Sequence, residues 1–179
     1  MNEVVIYVAK SKVRWPGLEW AQATGKKLLK SGLRERLDDD KFVPQIKKRA
    51  DGKPYLDNSK LHFNISHSQQ YVVCAIGEVE LGVDIQYHKK NDTKLVAKRS
   101  MSVGEWQAYQ EADNQAKFFY DLWAKKESYL KYTGEGIRRD MRLLTLDAYI
   151  QEIIIADNYS GALCCGENCG YQIQMIENM

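Results

Sequence analysis

The chain has 179 residues, with 26 Lys or Arg side chains against 24 Asp or Glu side chains and a formal net charge of +2. This length suits one medium domain or two small halves that share a core. Charges of both signs are mixed along the chain, and no basic stripe typical of a nucleic-acid-binding protein is present. The apolar runs are too short to span a membrane. The opening residues lack the basic and apolar segments of a signal peptide, so we expect a cytoplasmic protein.

The first half of the sequence predicts a strand, a long helix and then further strands. A short apolar run over residues 4–8 indicates the opening strand, and leucines that fall close to one helical face indicate a helix over 18–37. A polar stretch over 45–59 follows, with Asp51-Gly52-Lys53-Pro54 as its turn signal. Three more strands are predicted after it, over residues 61–65, 71–76 and 81–86.

The second half predicts helices first and strands afterwards. Ser102, with Glu105 three residues later, has the pattern of a helix N-cap, and Gly134-Glu135-Gly136 ends the longest helix. The predicted helices cover residues 92–99, 103–112 and 115–132, and the predicted strands cover 142–146, 149–155, 159–164 and 171–176. This order predicts an α+β fold with an N-terminal half, 1–80, and a C-terminal half, 81–179.

Four cysteines are present, three of them near the end of the chain at Cys164, Cys165 and Cys169. A zinc site needs regularly spaced ligand pairs, and no second pair follows this cluster. We therefore interpret the cysteines as reduced structural thiols.

The predicted strand over 81–86 carries an aspartate between two β-branched residues. Because alternate side chains of a strand share a face, Asp84 and Gln86 lie on one face, and Val83 and Ile85 lie on the other. A buried Asp84 carboxylate must be paired, hydrogen-bonded or bound to a metal. The alternative is an exposed polar face on an edge strand.

The longest predicted helix places Trp123, Glu127 and Lys131 four residues apart, on one face. The alternative to a functional face is a routine Glu-to-Lys pair beneath a core tryptophan. A third segment, Ser66-His67-Ser68, follows a strand and offers hydroxyl and imidazole groups to a phosphate. It lacks the Gly-x-Ser-x-Gly elbow of an α/β-hydrolase nucleophile, and a structural histidine is its alternative interpretation.

Taken in order, these motifs resemble the surfactin-type 4'-phosphopantetheinyl transferases from about Lys53 to Ile137. The matching segments are Gly52-Lys53-Pro54, Phe63-Asn64-Ile65-Ser66-His67-Ser68, Gly82-Val83-Asp84-Ile85, and Trp123-Ala124-Lys125-Lys126-Glu127-Ser128 with Lys131. The last of these is the most specific. The resemblance implies two similar α+β halves, a pseudo-dimeric fold, with the active site in the cleft between them.

The resemblance also implies an enzyme. Members of the family transfer the phosphopantetheine arm of coenzyme A to a serine of an acyl or peptidyl carrier protein and release 3',5'-ADP, with Mg²⁺ as the metal. By resemblance, Asp84 and Glu127 hold Mg²⁺, with Gln86 where the family often has a glutamate. Glu127 and Lys131 are the implied catalytic residues, and the implied coenzyme A contacts are Lys53, Ser66, His67 and Lys131.

Carrier docking and nucleotide recognition are less defined by the motifs. The candidates for the docking surface are residues 94–106, with Lys98, Arg99, Met101 and Trp106, and the aromatic run 118–120. A core position is the alternative for Trp106 and for the aromatic run. The segment 21–25 lacks the arginine that larger relatives carry there. We expect a monomer, because a duplicated fold needs no second chain to build the site.

Two other functions compete with the transferase. One is a non-catalytic module that binds coenzyme A or a carrier protein with the same fold, which the Gln86 substitution favours. The other is a magnesium-dependent nucleotide hydrolase, which is disfavoured because the sequence contains no Gly-x-x-x-x-Gly-Lys-Ser/Thr phosphate loop.

Overall fold

The computed structural model describes residues 3–90, 92–136 and 139–177. Ile137, where the family resemblance ends, lies outside these ranges. The strands are β1 (Glu3–Lys10), β2 (Ile46–Lys48), β3 (Pro54–Leu56), β4 (His62–Ser68), β5 (Tyr71–Gly77), β6 (Leu81–Tyr87), β7 (Tyr149–Glu152), β8 (Tyr159–Cys165) and β9 (Gly170–Ile176). The helices are α1 (Leu18–Leu37), α2 (Lys94–Ser100), α3 (Val103–Glu111) and α4 (Gln115–Thr133).

The first sheet has the strand order β4-β5-β1-β9. β4, β5 and β1 are antiparallel neighbours, whereas β9 runs parallel to β1. Helix α1 covers one face of this sheet, where its leucines Leu28, Leu29 and Leu33 are buried together with Tyr7 and Cys74. The apolar spacing that predicted α1 from the sequence is therefore the spacing of its buried face.

The second sheet is antiparallel, with the order β6-β8-β7, and α4 packs across β6 and β8. Gly82 of β6 allows this packing because it has no side chain. A Cβ atom at that position would lie 2.1 Å from the carbonyl oxygen of Ser128 and 2.4 Å from the backbone nitrogen of Tyr132. The backbones of β6 and α4 therefore meet directly.

The two sheets share the central core of the molecule. Apolar residues of β1 and β5 form one buried cluster with residues of β6 and β8, including Ile6, Val73, Val83, Ile85 and Leu163. The layers thus run from α1 through the two sheets to α4, and the predicted α+β class is confirmed. The last strand, β9, joins the first sheet, while the division into two similar halves stays a prediction.

Helices α2, α3 and α4 enclose a smaller cluster that contains Ala97, Met101, Tyr109, Phe119 and Tyr120. For Phe119 and Tyr120, the structure therefore supports the core position that was the alternative to a docking surface, and Trp106 and Phe118 are half-buried against the same cluster. Met101, also a docking candidate, is buried there as well. The predicted N-cap of α3 is confirmed as a capping box, in which Ser102 and Glu105 each accept the other's backbone N–H.

Several regions differ from the sequence-based expectation. Ser66, His67 and Ser68 continue β4 instead of following it, and β7 ends at Glu152, three residues earlier than predicted. The predicted strand over 142–146 is wrong, because Met141–Leu143 forms a single 3₁₀ turn and Leu143 points to solvent. The polar stretch 45–59 contains the predicted turn, but two short strands, β2 and β3, flank that turn as a hairpin. No helix within the described ranges is long and apolar enough to cross a membrane.

Candidate active site

The outer edge of β6 is paired with side chains of β4. Three alternate residues of β4 each accept one backbone N–H from alternate residues of β6, because both strands have a period of two. The hydrogen bonds are Val83 N to Asn64 Oδ1 at 3.0 Å, Ile85 N to Ser66 Oγ at 3.3 Å and Tyr87 N to Ser68 Oγ at 2.9 Å. We call Asn64, Ser66 and Ser68 the side-chain ladder.

Two lysines bind the carbonyl groups of the same β6 edge. The Lys53 ammonium donates to the carbonyl oxygen of Leu81 at 3.0 Å, and the Lys131 ammonium donates to that of Val83 at 3.0 Å. Lys53 lies in the turn between β2 and β3, and Lys131 lies on α4. Side chains from β4, from the turn between β2 and β3 and from α4 therefore bind the backbone N–H and C=O groups along the β6 edge on which the candidate site is built.

Asp84 lies at the centre of this junction and is only 3% exposed. Its Oδ1 atom accepts hydrogen bonds from Ser66 Oγ at 2.8 Å and from Lys131 Nζ at 2.7 Å, and its Oδ2 atom accepts one from Gln86 Nε2 at 2.7 Å. The prediction that a buried Asp84 is paired and hydrogen-bonded is confirmed. Gln86 meets Asp84 through its amide nitrogen, so the amide oxygen of Gln86 is not used in this contact.

Glu127 is also buried, with 9% of its surface exposed, and it lies on α4 one turn before Lys131. Within the described part of the chain its carboxylate makes no hydrogen bond. Burial raises the pKa of Glu127, and the negative charge of Asp84 raises it further, while the Lys131 ammonium opposes both. A nearby positive charge would therefore stabilise the ionised form of Glu127.

The α4 face predicted from the sequence contacts β6 through Lys131, whereas its Trp123 packs with the α2 and α3 cluster. Lys131 pairs with Asp84 across the two elements, which is not the routine pair within one helix that was its alternative interpretation. Trp123 is half-buried and packs against Phe119, with ring centroids 5.5 Å apart. The four-residue spacing thus places an aromatic anchor, a carboxylate and an ammonium in that order along the helix.

The remaining predicted contacts differ in their surroundings. The side chain of His67 reaches solvent, but the part of its ring that is desolvated, together with the Lys131 charge, lowers its pKa, while Asp84 opposes this. Lys53 is nearly buried, and besides Leu81 it contacts the Tyr132 carbonyl oxygen at 2.8 Å and Glu80 Oε1 at 2.5 Å. Burial lowers the pKa of Lys53, although Glu80 opposes that effect.

A cavity of about 330 Å³ adjoins the junction. Asn64, Glu127, Leu130 and Lys131 line it, together with the turn 51–54 and the glycines Gly134 and Gly136. Gly134 ends α4 with a φ of 82°, a left-handed conformation that a side chain disfavours. A Cβ atom there would also lie 2.5 Å from Asp51 Oδ2, so this glycine brings the two turns together.

Residues 80–165 match the family model described as the 4'-phosphopantetheinyl transferase superfamily, and this range holds Asp84, Glu127 and Lys131. The resemblance predicted from the motifs is therefore confirmed.

Curated relatives agree with this assignment. A 4'-phosphopantetheinyl transferase from Bacillus subtilis is 42% identical over 89 residues, which are 48% of this chain and 39% of the relative. The transferase Sfp from Bacillus subtilis is 34% identical over 116 residues, 63% and 51% of the two chains. The transferase HetI from a Nostoc species is 32% identical over 123 residues, 64% and 52%. The chain thus spans about two fifths to one half of these relatives' lengths.

Two polar residues with structural importance were not singled out from the sequence. Asn64 belongs to the side-chain ladder, and its position in a strand, one residue after a buried Phe63, was the available signal. Lys126 is 2% exposed, and its ammonium contacts Glu105 Oε2 at 2.7 Å and the carbonyl oxygens of Ser100 at 3.0 Å and Met141 at 2.7 Å. Nothing in the sequence pattern distinguishes it from its partly exposed neighbour Lys125.

The four cysteines, Cys74, Cys164, Cys165 and Cys169, are free and buried. Burial raises the pKa of Cys164 to about 12, so its thiol is protonated at neutral pH. Across residues 3–90, 92–136 and 139–177, no group of three or more His, Cys, Asp or Glu side chains is placed to hold a metal ion.

Proposed function

We propose that this chain transfers the 4'-phosphopantetheine group of coenzyme A to a serine of an acyl or peptidyl carrier protein, with release of 3',5'-ADP. The observation that carries the proposal is that Glu127 and Lys131 line one cavity while Lys131 is bound to Asp84. The segment that holds these residues matches the transferase superfamily. A phosphoryl transfer requires positioning and charge stabilisation, and this site offers both.

The donor set fits Mg²⁺, the metal that the family implies. Mg²⁺ favours one or two carboxylates together with substrate phosphate oxygens and retained water. Glu127 supplies a buried carboxylate without a hydrogen bond in the described chain, and its pKa is raised by burial and by the charge of Asp84, which a cation would relieve. Asp84 and Glu127 would hold the ion, with the Gln86 amide oxygen as a neutral third ligand. When bound, Mg²⁺ supplies neutralisation of charge on the pyrophosphate oxygens.

The side chains of the site have separate roles in the proposed reaction. Glu127 takes the proton from the carrier serine hydroxyl as its oxygen attacks the β-phosphorus of the coenzyme A pyrophosphate. The bond from that phosphorus to the bridging oxygen breaks, and 3',5'-ADP departs with the bridging oxygen. Lys131, already oriented by Asp84 and by the Val83 carbonyl, stabilises the charge that develops on the leaving phosphate.

Coenzyme A is proposed to enter along the cavity beside Lys131. His67 is exposed at the edge of the site and is the proposed contact to a phosphate, together with Lys131. Lys53 and Ser66, the other residues implied by resemblance, line or border the same junction, although the Lys53 ammonium already has three acceptors. Lys10 ends β1, Lys12 and Arg14 follow it, and all three are further basic candidates for the nucleotide.

The carrier protein is proposed to dock on α2, α3 and the adjoining 3₁₀ turn. This surface exposes Leu95, Val96, Val103 and Leu143, and it carries the basic side chains Lys94, Lys98 and Arg99. Carrier proteins are acidic helical bundles, so an apolar surface with a basic rim suits them. Fatty acid, polyketide and nonribosomal peptide carriers are all candidates, and a cytoplasmic location and a monomeric state remain predictions.

Intact-mass spectrometry of an apo carrier protein tests this proposal. The carrier is incubated with the chain, coenzyme A and Mg²⁺, and a matched sample contains a chelator. We expect a mass gain of one phosphopantetheine that the chelator removes. No gain with fatty acid, polyketide and peptide carriers, despite measurable coenzyme A binding, would instead support the non-catalytic binding module.

A further inference from the structure

Ser66 differs from the other two members of the side-chain ladder. Asn64, Ser66 and Ser68 each accept a backbone N–H of β6, but the Ser66 hydroxyl also donates to Asp84 Oδ1 at 2.8 Å. Ser66 is 5% exposed. Its single hydroxyl hydrogen is therefore committed to Asp84, and one of its lone pairs is committed to Ile85.

We infer that Ser66 is a positioning residue, which orients the Asp84 carboxylate for the metal and locks it to β6. This inference deepens the proposed function and rests on it. A hydroxyl has one hydrogen to donate, so Ser66 cannot hold Asp84 and donate to a phosphate of coenzyme A at the same time. The family resemblance assigned Ser66 to coenzyme A, whereas its hydrogen bonds assign it to Asp84.

The Asp84 carboxylate is held from both sides. Ser66 and Lys131 bind Oδ1, while Gln86 binds Oδ2, so the carboxylate plane is defined by three donors. A ligand that is already oriented loses less entropy when it binds an ion, and residues behind metal ligands commonly contribute to metal affinity for this reason. Ser66 does this without a charge of its own.

The same contact joins the two sheets at the site. Ser66 belongs to β4 of the first sheet, and Asp84 belongs to β6 of the second. The bond from Ile85 N to Ser66 Oγ fixes the register of the two strands at the residue next to Asp84. Through Ser66, the way the two sheets pack therefore determines how the Asp84 carboxylate is oriented.

Ser66→Ala and its matched control Ser68→Ala test the inference. Both serines lie on the same face of β4 and bind a β6 amide, but only Ser66 contacts Asp84. Three quantities are measured in each variant without carrier protein: amide hydrogen exchange by NMR, Mn²⁺ affinity by electron paramagnetic resonance, and coenzyme A affinity by calorimetry in chelator.

For Ser66→Ala we expect faster exchange of the Ile85 amide and a Mn²⁺ affinity weaker by about tenfold, with unchanged coenzyme A affinity in chelator. Ser68→Ala should accelerate exchange at Tyr87 and leave Mn²⁺ affinity unchanged. Ser66→Thr keeps the hydroxyl and should preserve Mn²⁺ affinity. If Ser66→Ala does not fold, Ser66→Cys, which is similar in size and a weaker hydrogen-bonding group, is measured in its place.

The inference is overturned if Ser66→Ala weakens coenzyme A binding in chelator while Ile85 exchange and Mn²⁺ affinity stay at their wild-type values. It is also overturned if the wild-type chain binds no Mn²⁺. Because none of these measurements requires turnover, a wild-type chain that binds Mn²⁺ through a Ser66-dependent site yet modifies no carrier would contradict only the proposed function.

Discussion

Asp84 shows how one side chain defines the site. A carboxylate that is 3% exposed needs compensation, and Ser66, Lys131 and Gln86 provide it with three hydrogen bonds. Glu127, on the facing helix, has no comparable hydrogen-bond partner in the described ranges. Burial and the charge of Asp84 raise its pKa. The two carboxylates thus have different surroundings, with one held in place and the other available for a cation or a proton.

Gln86→Glu tests the metal assignment at the residue scale. The substitution replaces an amide that donates to Asp84 with a second carboxylate next to Asp84. Without metal, the added negative charge should lower the melting temperature because like charges repel. With metal, it should lower the Mg²⁺ concentration that gives half the maximal transfer rate. An unchanged Mg²⁺ requirement would show that residue 86 is not at the metal.

Contacts between whole elements determine where these side chains lie. Gly82 brings the β6 backbone against α4, so that Asp84 and the Glu127–Lys131 turn of the helix face each other. Lys126, also on α4, contacts the C-terminal end of α2, the capping glutamate of α3 and the 3₁₀ turn. These three contacts connect the neighbouring elements to α4. Helix α4 is therefore fixed to β6 near Lys131 and to the proposed docking helices near Lys126.

Gly82→Ala should separate β6 from α4. The added methyl would lie 2.1 Å from the Ser128 carbonyl oxygen, so we expect a loss of about 2 kcal/mol in the free energy of unfolding. Gly104→Ala is the matched control, because no atom lies within 4 Å of the position that its added methyl would occupy and alanine favours a helix. Equal effects of the two substitutions in urea denaturation would contradict the close packing at Gly82.

Lys126→Met should remove a buried ammonium while keeping a side chain of similar length. The change leaves the partly exposed Glu105 without its ion pair and leaves the carbonyl oxygens of Ser100 and Met141 without this donor, so we expect a loss of about 2 kcal/mol in the free energy of unfolding. Lys125→Met, on the same helix, removes only the exposed pair with Glu152 and should cost less than about 1 kcal/mol. Urea denaturation of both variants would contradict this account if Lys125→Met were the more damaging.

For the molecule as a whole, local patterns predicted most elements, and non-local contacts explain the rest. The predicted bounds of α1 match its structure, and Leu28, Leu29 and Leu33 from the predicted apolar face are buried against the first sheet. The side-chain ladder depends on how two sheets pack, and the pairing of β9 with β1 joins the two ends of the chain, so neither has a local signal. The strand predicted over 142–146 is wrong because Leu143 is exposed and apolar spacing alone does not provide a partner strand.

The ion pairs of Glu80 make the stability of the fold depend on pH. Glu80, in the turn that leads from β5 into β6, contacts Arg49 and Lys53. Burial raises the pKa of Glu80, but the hydrogen bonds from Lys53 and Arg49 outweigh burial and lower it overall. A lowered folded-state pKa adds stability above the ordinary value of 4.5, and this stability is lost as the pH falls through the lower folded value.

We therefore expect the melting temperature of the wild-type chain to fall below pH 4.5 more steeply than that of Glu80→Gln, which cannot titrate at this position. Glu78→Gln changes an exposed glutamate two residues earlier and is the matched control. It should keep the wild-type slope. If the melting temperature of Glu80→Gln falls with pH as steeply as that of the wild-type chain, the ion pairs of Glu80 do not contribute to acid unfolding.

The most direct test of the account is carrier modification by Glu127→Gln, followed by intact-mass spectrometry under single-turnover conditions. Glutamine preserves the size of the side chain but cannot take the serine proton or supply a charged metal ligand. We expect a folded variant that still binds coenzyme A in chelator and leaves the carrier unmodified. A phosphopantetheine gain at the wild-type rate would contradict the assignment of Glu127 and, with it, the proposed site.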